Sequence, residues 1–232
     1  MTRQRQIIAM GGGGFSMEPD NPLLDDHVLA ATGAAQPRVC FLPTASGDAE
    51  GYVHRFFQAF ADRCEPSWLG LFNREVDDVE AFLCAHHAIY VGGGNTANML
   101  AVWRVHGVDR ALRAAYQRGV VLAGVSAGAV CWFEAAVSDS FGPLSPLRDG
   151  LGLLPGTCAP HYDGDPERRP AFARMIAAGL PQGYGVDDSA ALHFVDDELH
   201  EVVASRAGPR AYRVELDAGA PRETALPARL LG

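Results

Sequence analysis

Short apolar runs, rich in Val, Ile and Leu or closed by glycine, recur along this chain, separated by longer segments with helical spacing. Ile7–Met10, Arg38–Leu42, His87–Val91 and Val120–Gly124 each read as a buried strand, with Ser67–Phe72 a weaker candidate. Between them, Gly51–Arg63, Asp77–Ala85 and Ala97–Arg118 carry apolar residues at helical intervals, the last broken near His106-Gly107. Strand–helix alternation of this kind predicts an α/β fold with a mostly parallel sheet and helices on both faces. Such sheets bind ligands beyond the carboxyl ends of their strands. The glycines cluster there: Gly11–Gly14 follows the first strand, Gly92–Gly94 another, and Gly124 a third. The last third holds shorter strand-like runs, Gly183–Val186, Ala191–Val195, His200–Ala204 and Ala211–Glu215, expected to extend the same sheet or form an antiparallel edge. No linker interrupts the chain, so residues 1–232 read as one domain, with 217–232 expected to be a partly mobile tail.

Val120–Ala129 matches G-x-S-x-G, with an apolar strand before it and a helix-competent run expected to continue to near Glu134. A sharp strand-to-helix turn projects the Ser126 hydroxyl from the sheet edge, and small neighbours let the backbone fold back. The new helix aims free N–H groups at the same place, which makes the Ala127 amide a candidate oxyanion donor. The bland alternative is a tight structural turn without chemistry.

A serine hydroxyl needs a base, and composition narrows the choice. All 19 basic side chains are arginine, which excludes a Ser–Lys dyad, a Schiff-base lysine and a Walker A phosphate loop. Of eight histidines, His161 in Cys158–Asp165 stands out, because Pro160 favours an extended approach to a turn-rich loop. His193 reads as a strand residue. The candidate acids to orient the base are Asp139, placed in a loop, Glu134, two helical turns beyond Ser126, and Asp149, a turn residue; Asp139 is favoured and Glu134 is the alternative.

The net charge of −9 and pI near 5.3 argue against a nucleic-acid partner. The apolar run after the polar residues 1–6 is too short for a membrane span or signal core, so no membrane association and a cytoplasmic location are expected. Five cysteines without a C-x-x-C pair read as buried thiols rather than a zinc site or disulfide framework.

Gly92-Gly93-Gly94-Asn95-Thr96, Gly124–Ala129 and Pro160-His161-Tyr162, together with the opening glycine run and Leu42–Ser46, resemble the S51 serine peptidases from about Ile7 to Glu215. That family includes peptidase E (α-aspartyl dipeptidase), with cyanophycinase a more distant member. The resemblance implies a flavodoxin-like or class I glutamine-amidotransferase-like fold with extra C-terminal strands. It also implies a Ser–His–acid triad on Ser126 and His161, with Asp139 the better correspondence for the acid and Glu134 still open. The Gly92–Gly94 loop would supply the second oxyanion donor through Gly93 or Gly94, and Asn95 would join the substrate-binding residues. An arginine beyond the histidine would pair with the substrate's aspartyl side chain; Arg168 and Arg169 occupy that stretch, with Pro170 departing from the pattern.

The activity implied is hydrolysis of short peptides, first of dipeptides with N-terminal aspartate, with no metal or organic cofactor. A short peptide is then the partner, and a homodimer is compatible with the sequence. Two other readings stand beside it: a cyanophycinase-like hydrolase of β-aspartyl or isopeptide substrates, and a non-catalytic binding module on the same fold. A nucleotide- or flavin-binding role for Gly11–Gly14 is disfavoured, because no G-x-x-G spacing follows.

Overall fold

A computed structural model describes residues 4–232. The first half of the chain builds β1 (Gln6–Met10), α1 (Leu23–Ala31), β2 (Arg38–Leu42), α2 (Glu50–Phe60), β3 (Glu65–Trp68), α3 (Val79–Cys84), β4 (Ala88–Val91), α4 (Thr96–His106), α5 (Val108–Gln117) and β5 (Val121–Val125). The break between α4 and α5 falls at Gly107, whose φ of 73° is a left-handed conformation that glycine adopts without steric cost. Strands β1, β5, β4, β2 and β3 pair in that order and all run parallel.

Alternation along β1 shows why its residues are almost continuously apolar. Ile7 and Ala9 pack with Trp103 of α4 and Leu112 and Tyr116 of α5, whereas Ile8 and Met10 pack with Val28 of α1 and Phe56 and Phe60 of α2. Helices therefore cover both faces of this sheet, as the pattern predicts.

After β5 come α6 (Ala127–Val130), β6 (Phe133–Ser138), β7 (Ser145–Leu147), β8 (Leu154–Ala159), α7 (Arg168–Ala177), β9 (Gly183–Val186), β10 (Ala190–Val195), β11 (Glu198–Ala204), β12 (Ala211–Asp217), β13 (Ala220–Leu226) and β14 (Ala228–Leu230). The C-terminal strands divide between two sheets. β10, β11 and β14 extend the first sheet, beginning with β10 antiparallel to β1. β9 and β12 instead join a second, six-stranded sheet in the order β13-β12-β9-β8-β6-β7. Within it β6, β8 and β9 are parallel. One face packs on α7 through Ala135, Val137, Ala159, Phe172 and Ile176; Ala136, Cys158 and Tyr184 on the other join the core shared with α4 and α5.

Three expectations change. The helix after Ser126 is a single turn and not a run to Glu134, because the chain enters β6 at Phe133. Most of residues 217–232, expected as a partly mobile tail, lies in the strands β13 and β14. The weaker strand candidate is displaced towards its N-terminal side, to Glu65–Trp68. Cys40, Cys64, Cys131 and Cys158 are buried free thiols and Cys84 is half-buried. Among the described residues no helix is long and apolar enough to cross a membrane.

Candidate active site

Ser126 is the turn between β5 and α6, with φ 56° and ψ −111°, a conformation that non-glycine residues rarely adopt. The surrounding glycines explain how it is held. A Cβ on Gly124 would lie 2.3 Å from the Gly128 carbonyl oxygen, and one on Gly128 would lie 2.2 Å from that of Val91. Neither position tolerates a side chain, so the motif packs backbone on backbone and locks the turn. Ser126 N–H donates to the Met10 carbonyl at 3.1 Å, and the Ser126 carbonyl accepts from Ala129 and Val130. Its hydroxyl stands at the carboxyl edge of the parallel strands, where ligand sites of such sheets form.

Two neighbouring parallel strands of the second sheet deliver the partners. β8 leads through Pro160 to His161, and β9 leads through Asp187 to Asp188. His161 Nε2 lies 2.9 Å from Ser126 Oγ. On the other side of the ring, His161 Nδ1 lies 2.6 Å from Asp188 Oδ1. Both side chains are about one quarter exposed (26% and 25%). His161 itself has φ 51°, and its N–H is bonded to the Gly11 carbonyl. Asp188 N–H donates to Asp163 Oδ1 at 2.8 Å, and Ser189 N–H to the Gly12 carbonyl at 3.0 Å.

The opening glycine run makes room for this acid. A Cβ on Gly12 would sit 2.0 Å from Asp188 Oδ1 and 3.1 Å from His161 Nδ1. Gly11 likewise comes so close to Val186 and Asp187 that a Cβ would lie 2.4 Å from their carbonyl oxygens. The run is therefore part of the site's packing and more than a tight turn.

The acid beside His161 is neither of the two expected. Glu134 is exposed on β6, and its Oε2 accepts from Gly156 N–H at 2.9 Å. The expectation for Glu134 assumed two helical turns after Ser126; with one turn followed by a strand, the carboxylate points elsewhere. Asp139, just past the end of β6, is exposed in the wall of the cavity beside Ser126, without a hydrogen bond to His161. Asp149 is paired with Arg104. The sequence between Ser126 and His161 does not point to Asp188, which lies 27 residues beyond the histidine. The available signal was its place at the carboxyl end of the Gly183–Val186 strand.

A cavity of about 210 Å³ adjoins the serine, lined by Gly94, Thr96, Ser126, Ala127, Ser138, Asp139, Pro160, His161 and Arg168 among others. Arg168 is 6% exposed. Among the described residues its Nη1 makes a 3.4 Å contact with the Val137 carbonyl, and its Nε has no hydrogen-bond partner. Asp165, 3.7 Å from Nε, is its ion-pair partner. A buried guanidinium with unused donors beside a serine has the chemistry to pair a carboxylate. Arg169 turns away: it lies over the rings of Tyr162 and Tyr212 and pairs with Glu223 and Asp187. Asn95 is also engaged, its Oδ1 capping α4 through Asn98 N–H and its Nδ2 donating to the Ser140 carbonyl. Of the expected donors, Ala127 opens α6 and Gly94 faces the cavity. Gly93 packs on Ser126, and its N–H donates to the Tyr52 hydroxyl at 3.2 Å. A larger depression of about 490 Å³ between the edges of the two sheets, lined by Tyr184, Phe194 and Arg213, contains none of the three site side chains.

Residues 7–202 match the model of peptidase family S51. The chain belongs to this family. As an S51 peptidase it is 52% identical over 230 residues to the Bacillus subtilis (strain 168) protein named uncharacterized peptidase YgaJ, across 98% of this chain and all of that one. It is 33% identical over 150 residues to peptidase E of Streptomyces coelicolor (strain ATCC BAA-471 / A3(2) / M145), spanning 61% of this chain and 59% of that one. Two solved structures share the fold. A peptidase from an acI-B1 actinobacterium superposes with a TM-score of 0.71 at 17% identity, over 97% of this chain and 96% of that one. A putative peptidase E of Listeria monocytogenes EGD-e superposes with a TM-score of 0.64 at 21% identity, over 88% and 100%. The S51 peptidase described here is thus a hydrolase on a mixed α/β scaffold.

Proposed function

We propose that the chain is a serine-type peptidase that cleaves short peptides through an acyl-enzyme on Ser126. The observation that carries this reading is the continuous line of hydrogen bonds from Ser126 Oγ through His161 to Asp188. Asp188 accepts from His161 Nδ1–H, which leaves Nε2 as the lone pair facing the serine and stabilises the imidazolium once it forms. His161 then takes the hydroxyl proton as Oγ attacks the carbonyl carbon. The C–N bond breaks as His161 returns that proton to the leaving amine, and water repeats the sequence on the ester. Ala127 N–H and Gly93 N–H, which would exchange the Tyr52 hydroxyl for the substrate, are assigned as donors to the oxyanion.

The cavity's charges favour a dipeptide with an N-terminal aspartyl residue. Arg168 would meet the substrate's side-chain carboxylate, and exposed Asp139 in the same wall would meet its ammonium group. A cavity of about 210 Å³ holds one such residue rather than a folded chain. The experiment is a panel of α-aspartyl, β-aspartyl and uncharged dipeptides with the wild-type chain and Ser126→Ala. Cleavage of α-Asp-X that disappears in the variant supports the reading, and cleavage retained by Ser126→Ala overturns it. Turnover restricted to β-aspartyl peptides would transfer the same chemistry to isopeptide substrates.

A further inference from the structure

A second cluster of chemistry-bearing side chains lies on the antiparallel edge of the first sheet, and none of its members lines the Ser126 cavity. His27 comes from α1, His193 from β10 and Glu201 from β11. His27 Nε2 and His193 Nδ1 are 3.0 Å apart. Glu201 Oε1 lies 3.9 Å from the first and 3.8 Å from the second, beyond hydrogen-bonding reach of both. The centre of that triangle is about 2.1 Å from each of the three atoms, within the roughly 2.0–2.2 Å of zinc–nitrogen and zinc–oxygen bonds.

The surroundings prepare these atoms as ligands. Gln6 donates its amide to the Ala31 carbonyl at 3.0 Å, which turns its Oε1 towards His193 Nε2 at 2.9 Å. The proton of His193 is thereby held on Nε2, and the Nδ1 lone pair faces His27. Outer partners of this kind are what orient metal-binding imidazoles. Arg229 fixes the carboxylate, with Nε 2.8 Å from Glu201 Oε2 and Nη2 2.9 Å from Oε1. The side chains of His27 and Glu201 are 12% and 23% exposed, which leaves a route for an ion and a water from solvent.

We propose that His27 Nε2, His193 Nδ1 and Glu201 Oε1 bind one divalent zinc ion, with a solvent water as the fourth ligand. Two imidazoles and one carboxylate suit zinc, whereas calcium and magnesium prefer all-oxygen sites. Binding replaces the hydrogen bond between the two rings. The proton on His27 Nε2 relocates to Nδ1, and no proton need leave the pair. The ion would tie α1 to the β10–β11 hairpin. α1 follows the glycine run that clears space for Asp188, and β10 begins two residues after that acid. The site is therefore a clamp on the edge that frames the acid, independent of the peptidase reading.

The test uses the full chain stripped of metal by a chelator and then titrated with zinc chloride against a chromophoric chelator, with thermal unfolding followed in parallel. The expected result is one tight site per chain, a rise in Tm with zinc, and visible absorption bands of low-symmetry coordination when cobalt(II) replaces zinc. His27→Gln, His193→Ala and Glu201→Gln should each weaken binding at least about tenfold, the two histidine variants most. Each should lose the zinc-dependent rise in Tm, and Cys84→Ser should keep both. His27 lies on a helix, so His27→Gln serves where the buried His193→Ala does not fold. Failure of the wild-type chain to bind zinc at micromolar concentration, or equal binding by the wild type and His27→Gln, would overturn the proposal.

Discussion

Gly12→Ala isolates the role of the acid without replacing any of the three side chains. The added methyl would occupy a point 2.0 Å from Asp188 Oδ1, the atom that lies 2.6 Å from His161 Nδ1. Contact at an ordinary separation requires the carboxylate or the glycine strand to move by more than about 1 Å, and that breaks the bond that orients the imidazole. Gly12 does not have a positive φ, so the alanine meets no conformational penalty of its own. A misplacement of about 1 Å costs roughly a hundredfold, and complete loss of the orienting acid costs on the order of ten-thousandfold. The expected kcat/KM of Gly12→Ala on an Asp-X dipeptide therefore falls by about 10²–10⁴, towards that of Asp188→Asn. The double variant should be little worse than Asp188→Asn alone, because both changes remove one interaction. Circular dichroism and Tm check that the fold survives. Activity of Gly12→Ala within about threefold of wild type, or losses that multiply in the double variant, would refute the reasoning.

Arg168→Gln should lower kcat/KM about 10- to 100-fold for Asp-Leu, the size of one charge-assisted hydrogen bond, and much less for Ala-Leu; equal losses on both peptides would remove Arg168 from specificity. Asp25 is buried beneath Tyr90, and desolvation pushes its carboxyl up to about 7. The folded chain therefore holds a proton that the unfolded chain releases near pH 4, and this contribution to stability is lost as pH rises from about 4 to 7. Asp25→Asn should remove that slope, a difference of at most about 4 kcal/mol between pH 4 and pH 8 in urea unfolding; parallel pH profiles for the two chains would contradict it. Asp139→Asn should raise KM for peptides with a free amino terminus and leave N-acetylated peptides unaffected; an equal rise for both would place its carboxylate outside substrate recognition.

Local chemistry was legible where the whole requirement lay within a few consecutive residues. Gly124 packs on the Gly128 backbone inside the motif itself, so the Ser126 turn could be read from its own residues. The start of β1 and the break at Gly107 were equally local. Asp188 was hidden because its relation to His161 depends on β8 and β9 lying side by side in parallel, 27 residues apart. Glu134 misled for the converse reason. Its expected position required α6 to continue, whereas Phe133 begins a strand in the second sheet. Arg168 and Arg169 are adjacent in sequence, yet one faces the cavity and the other lies over two tyrosines; only the helix's orientation against the sheet decides between them.

The proposed function makes Ser126 a nucleophile activated by His161. Intact-mass and peptide mapping after treatment with a fluorophosphonate test it most directly. The expected result is a single adduct on Ser126, formed slowly or not at all in His161→Ala. An unmodified Ser126, or an adduct that forms as fast without His161, would contradict it.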